Sequence, residues 1–351
     1  MERKTEKCKV CGSWSWTDVY TDVPGFGIDR KFTIHRCAGC GTVATSHPLR
    51  DRELSRYYDS QAVAFNGKGD DKLVESYLRN REDYWYRLGY YNRLAEIRRV
   101  FPKAKTILDI GCAAGFFLDF LREHGYETYG LEVSAWGHGI ATKKLHLNVK
   151  KAHVSELKEG ELPPIDVVTM YDVLEHTEDP RADLVVIKDL MEYDGKIIIN
   201  LPNIDSFISR VTGSQWNKLI PPNHTFFFTA KTLRHLVEDV GFDFVSASTN
   251  NGTSSELAAE LGASFWRLLG FIFPPLAQAY TCKDLPFREH KGVLVAMVKL
   301  TKKICSYLGF LVVPIMPFLT LFKKGEGLHL IAEKESHYTS GFELKGPFKL
   351  S

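Results

Sequence analysis

Residues 105–120 read KTILDIGCAAGFFLDF, in the order of a buried strand, a glycine turn and a helix. The apolar run ends on Asp109. Gly111 permits a tight turn, and Gly115 permits a close approach of backbone to a ligand at the following helix N-terminus. The Gly-x-x-x-Gly pattern, preceded by Asp, lacks the spacing that cradles a dinucleotide pyrophosphate. Seventeen positions beyond Gly115, Tyr129-Gly130-Leu131-Glu132 ends a second apolar run on an acid. A carboxylate at a strand end can accept hydrogen bonds from both hydroxyls of a ribose.

The same alternation continues outward. Strands are expected at 106–110, 128–131, 167–170, 196–200 and 242–247, and helices at 116–123, 135–145, 183–191 and 230–240. Short apolar strands separated by amphipathic helices require a parallel sheet covered on both faces, a doubly wound α/β fold. Residues 327–332 (GLHLIA) form a last strand that is expected to return to this sheet after a long insertion. Upstream, a stretch from 72 to 101 without proline reads as helix, its tyrosines packing along one face. The chain thus divides into a cysteine-bearing segment (1–48), a helical connector (49–104), a catalytic α/β domain (105–248), an apolar helical insertion (249–324) and a final strand with tail (325–351).

Four segments carry a resemblance. ILDIGCAAGFF, GLEVS, DVVTMYDVLEHTEDP and GKIIINLPN together resemble the class I S-adenosylmethionine-dependent methyltransferases, over roughly residues 105–244. The resemblance implies a seven-stranded sheet with 327–332 as its extra antiparallel strand. It also implies roles: Asp109, Gly111, Cys112 and Gly115 at the methionine end of S-adenosylmethionine, Glu132 on the ribose, and Val133, His153 and Val154 around the adenine. Tyr171 and Asp172 would face the sulfonium. Cys112 has an equally good reading as a small packing residue. Where the family often has glycine this chain has Ala113, a tolerable change if its φ is negative.

Cys8-Lys9-Val10-Cys11-Gly12 and Cys37-Ala38-Gly39-Cys40-Gly41 are two matching turns. Each brings two thiolates onto one loop, and four thiolates satisfy tetrahedral zinc. A closed set of four sulfurs leaves no position for water, so Cys8, Cys11, Cys37 and Cys40 are expected to hold a structural Zn2+ in a zinc ribbon. His35 is a bystander next to the second turn. Paired cysteines and a beginning without an apolar signal core point to a reducing, cytoplasmic setting.

Forty-five Lys and Arg stand against 43 Asp and Glu, a net charge of +2. That balance argues against nucleic acid as the partner, since such partners are met by a basic surplus. Tyr171-Asp172-Val173-Leu174-Glu175-His176 also replaces the Asn-Pro-Pro-aromatic motif of many methyltransferases that act on nucleic-acid amino groups; it resembles the branch acting on quinone precursors and sugars. His176 and His224, the latter in Pro221-Pro222-Asn223-His224, compete for general base, with Tyr171 the third catalytic candidate. The function expected is methyl transfer to a small-molecule, sugar or lipid-linked acceptor. Two alternatives stay open: an rRNA methyltransferase with a zinc module, and an inactive zinc-ribbon adaptor.

The stretches 264–280 and 304–322 are almost free of charge, and Lys302-Lys303 and Lys323-Lys324 flank the second. Pro314 and Pro317 interrupt it, which disfavours a straight span. A cap over the acceptor pocket and a membrane-surface element at the inner face of a membrane, through 264–322, are both open readings.

Overall fold

The computed structural model describes residues 6–46, 48, 70–84, 86–158, 160–250 and 325–335. The apolar stretches 264–280 and 304–322 lie outside them. Among the described residues no helix is long and apolar enough to cross a membrane.

Three strands open the chain: β1 (Trp16–Pro24), β2 (Lys31–Cys37) and β3 (Val43–Thr45), all antiparallel. The helix expected across 72–101 is two, α1 (Asp70–Arg79) and α2 (Leu88–Val100). Short polar side chains break it by competing for backbone groups. Asn80 donates to the Ser76 carbonyl at 2.8 Å, and Asp83 accepts from the Tyr86 N–H at 3.1 Å. Arg87 then turns inward, donating to the Arg81 carbonyl and to Glu123, its guanidinium 4.3 Å from the centre of the Phe120 ring.

The α/β part follows as β4 (Thr106–Ile110), α3 (Phe116–Glu123), β5 (Glu127–Leu131), α4 (Ala135–Lys143), β6 (Val149–Lys150), β7 (Ile165–Tyr171), α5 (Pro180–Leu190) and β8 (Met191–Pro202). Then come α6 (Phe207–Thr212), β9 (Phe226–Phe227), α7 (Ala230–Val240), β10 (Phe242–Asn250) and β11 (Gly327–Lys334). Seven strands form one sheet in the order β10-β11-β8-β7-β4-β5-β6. Only β11 runs antiparallel, between β8 and β10, as expected of the last strand. Helix α5 starts three residues earlier than its apolar period suggests, because Asp179 caps the Ala182 N–H and Pro180 fits the first turn.

Alternate residues of β7 sort to opposite faces. Val168 and Met170 join one core with Leu184, Leu233 and Phe228; Val167 joins Ile97, Phe117 and Phe120 on the other. The first core also contains Cys8, Val10, Cys37 and Ala44, so the cysteine segment packs directly on the α/β sheet's flank. β3 pairs with β9, Val43 opposite Phe227 and Ala44 opposite Phe226, making a four-stranded sheet shared by both parts. Phe226, Phe227 and Phe228 are all buried, which is the packing reading of that aromatic run.

Candidate active site

The glycine turn at the end of β4 holds three residues in the left-handed region: Gly111 (φ 71°), Ala113 (φ 49°) and Gly115 (φ 80°). A Cβ on Gly111 would lie 2.5 Å from Val173, and one on Gly115 would lie 2.6 Å from Leu147. Both glycines are therefore required by space as well as by φ. Ala113 departs from the expectation of a negative φ. Its loop is held from behind by Gly137, where a Cβ would sit 2.8 Å from the Ala113 carbonyl. Replacing Ala113 with glycine should relieve the strain and outweigh the extra freedom of the unfolded chain, for about 0.5 kcal/mol. The thermal midpoint should then rise by about one or two degrees; a lower midpoint would contradict the strain.

Glu132 closes β5 beside this turn. Its two carboxylate oxygens accept the N–H groups of Ala113 (2.9 Å) and Ser134 (2.7 Å), which fixes the side chain and leaves each oxygen a further lone pair. Asp109 is buried under the turn and accepts the Thr169 hydroxyl at 2.6 Å; burial pushes its carboxyl up to about 6. Cys112 turns its thiol into the core, where Leu118 and Gly130 crowd it, so packing occupies its side chain. Val133 is exposed and Val154 buried. His153 caps the short turn 154–156 through Nδ1, its Nε2 3.6 Å from Asp183.

Tyr171 ends β7 with its ring 3.8 Å from the Arg93 guanidinium and edge-on to Phe117. Its hydroxyl is buried without a hydrogen-bond partner, and burial pushes its pKa up. The next residue, Asp172, has φ 56°, a backbone outlier at the carboxyl end of a central parallel strand. Arg93 has no motif around it; only the fold brings α2 over Tyr171.

The two candidate histidines meet. His176 follows β7, His224 lies just before β9, and their ring centres are 4.7 Å apart at 78°. Each engages a backbone carbonyl through Nδ1: His176 with Asn223 at 2.6 Å, His224 with Lys218 at 2.8 Å. Those carbonyls can only accept, so Nδ1 carries the proton and Nε2 the lone pair in the neutral rings. Burial keeps them neutral: it pushes His176 down to about 4 and His224 well below its ordinary value, with the neighbouring His176 adding to the latter. Glu175 lies close to both, buried, its carboxyl pushed well up by burial and by Asp172. No role for Glu175 is readable from its position in Leu174-Glu175-His176 alone; the signal is its proximity to His224, far along the sequence.

The four cysteines also come together, with Cys8 Sγ 3.8 Å from Cys40 Sγ and Cys11 Sγ 3.5 Å from Cys37 Sγ. None is in a disulfide. The hydrogen bond between Cys8 and Cys40 pushes the Cys8 thiol up and the Cys40 thiol down.

A seven-stranded sheet with one antiparallel strand, a glycine turn after its central strand and an acid ending the next defines the class I, S-adenosylmethionine-dependent methyltransferases. Residues 77–247 match the family of the methyltransferase domain. Across 204 residues the chain is 26% identical to the ubiquinone biosynthesis O-methyltransferase of Nitrosospira multiformis, covering 56% of this chain and 75% of that protein. The Alkalilimnicola ehrlichii protein of the same name is 26% identical over 35% of this chain and 53% of its own length. A SAM dependent methyltransferase from Archaeoglobus fulgidus superposes with a TM-score of 0.44 at 20% identity, over 79% of this chain and all of that one. This chain is a class I S-adenosylmethionine-dependent methyltransferase.

Proposed function

We propose that the chain methylates a hydroxyl-bearing small molecule, a sugar or lipid-linked intermediate among the candidates, with the His176–His224 pair activating the acceptor. The observation that carries this reading is the pair of buried imidazoles with unprotonated Nε2 atoms, His176 after β7 and His224 before β9. The glycine turn is one contact away, since Gly111 abuts Val173. Small acceptors are also the kind named for the relatives, and a net charge of +2 supplies no basic surplus for RNA.

S-adenosylmethionine supplies a methyl group on a positively charged sulfur. Glu132 would bind its ribose, Gly111 and Gly115 would admit its methionine end, and Asp109 would balance charge beneath the turn. Val133, His153 and Val154 would border the adenine, Val154 from within the core. Tyr171 and Asp172, at the strand end, would face the methyl group. The acceptor hydroxyl gives up its proton on the histidine side, its oxygen attacks the methyl carbon in line, and the C–S electron pair returns to sulfur.

Cys8, Cys11, Cys37 and Cys40 would hold a structural Zn2+. Bonds of about 2.3 Å in a tetrahedron set sulfur separations near 3.8 Å, and the spacings of 3.8 and 3.5 Å fit. Residues 264–322 would cover the acceptor or touch a lipid surface.

The test uses S-adenosylmethionine labelled in its methyl group and fractionated cell extract. Label should enter a lipid or small polar fraction, and His224→Ala and His176→Ala should each slow transfer by about 10²-fold or more. Label confined to RNA, or near-normal rates in both variants, would overturn the reading. Flotation with liposomes tests the lipid-surface element; a chain that never floats has none.

A further inference from the structure

Glu175, His176 and His224 offer three ligand atoms that all lie within 4.8 Å of one another. Each residue has a lone pair to offer when Glu175 is ionised and both rings are neutral. The Nδ1 atoms are engaged by the Asn223 and Lys218 carbonyls, so both rings present Nε2 as acceptor. Both carboxylate oxygens of Glu175 are buried with no hydrogen-bond donor, and the residue is 1% exposed. His176 Nε2 stands 3.8 Å from Glu175 Oε1, too far for a hydrogen bond. An ionised Glu175 facing two unprotonated nitrogens would be an assembly of acceptors without a donor, so burial favours its protonated form unless a cation completes the site.

The surroundings are those of a metal centre. An imidazole that ligates through Nε2 ordinarily donates Nδ1–H to a carbonyl or carboxylate, which fixes its tautomer and direction. Here one loop, 218–223, supplies that carbonyl to both rings. The loop is itself tied to the turn bearing Glu175, because the Thr225 N–H donates to the Glu175 carbonyl at 2.8 Å. The charged groups acting on Glu175 are Asp172, which opposes its ionisation, and Lys218, which favours it.

We propose that Glu175, His176 and His224 form a binding site for one divalent metal ion, separate from the four cysteines, with coordination positions left open for an oxygen of the methyl acceptor. Two imidazoles and one carboxylate suit zinc, iron or manganese, and three protein ligands are the number found at open sites. Resting on the methyl-transfer reading, the site would replace direct proton capture by a histidine. The acceptor hydroxyl loses its proton to water on binding the ion, and its oxygen then attacks the methyl carbon.

The probe is Mn2+, which favours oxygen and nitrogen over the thiolates of the cysteine cluster. Chelator-treated full-length protein, reloaded with one equivalent of Zn2+, is titrated with Mn2+ while electron paramagnetic resonance follows the free ion. The wild type should take up one Mn2+ per chain. Glu175→Gln and His176→Ala should each weaken uptake at least about tenfold, with circular dichroism and S-adenosylmethionine binding unchanged in at least the near-isosteric Glu175→Gln. A wild type that binds S-adenosylmethionine but takes up no Mn2+ overturns the metal site and leaves the methyl-transfer reading standing; a proton shared between Glu175 and a histidine would produce that result. The metal site is equally overturned if the wild type transfers methyl at full rate in excess chelator, or if folded Glu175→Gln binds Mn2+ as the wild type does.

Discussion

Replacing Glu132 with alanine is expected to raise the dissociation constant for S-adenosylmethionine by roughly a hundredfold. The side chain does two things at once. Its oxygens hold the Ala113 and Ser134 N–H groups, so they fix the left-handed turn at Ala113 and the start of α4. Each oxygen keeps a further lone pair that could accept a ribose hydroxyl. Hydrogen bonds to a charged acceptor contribute about 1.5–3 kcal/mol each, and two stranded backbone donors add to the loss. Glutamine should not rescue, because its amide would present a donor to one of the two N–H groups. Calorimetry reads the effect, and a dissociation constant within about threefold of wild type would remove Glu132 from the cofactor site.

Cys37→Ser should have the larger effect on stability. Cys37 is 1% exposed and sits in one buried cluster with Met170, Leu201 and Phe226. Losing a sulfur should empty the four-cysteine site, and structural zinc contributes folding free energy outright. A loss of about 4–5 kcal/mol corresponds to a midpoint lowered by about five to seven degrees in a chain of this size. Metal analysis should fall from one ion per chain to near zero for the cysteine site. A variant that keeps its zinc and its midpoint would show that the cysteines do not hold the ion.

What could be read beforehand follows from locality. The strand–turn–helix at 105–120, the acid at 132 and the two cysteine turns are each written within a few neighbouring residues. The seven-stranded sheet, and β11 as its single antiparallel strand, came with the resemblance those segments carry. Features made by distant residues were not legible. Ala113 reads as a mild change until its φ of 49° is known. The break between α1 and α2 depends on Arg87 reaching Glu123 and Phe120, which belong to α3. His176 and His224 were readable as rivals for one role; that their rings lie 4.7 Å apart, with Glu175 close to both, was not. Arg93 over Tyr171 had no local signal at all.

Thr45 gives the shared sheet a further meaning. Its hydroxyl donates to the carbonyl of His224 at 2.8 Å, and its N–H donates to the carbonyl of Thr225 at 2.8 Å. The last residue of β3 thus holds the backbone at His224 and Thr225 through two successive carbonyls. Deleting the first 48 residues would not yield a minimal enzyme: it would bare β9 as an edge and release that histidine. The two parts are therefore not interchangeable modules, and a ribbon from another protein could replace this one only if it reproduced these two hydrogen bonds.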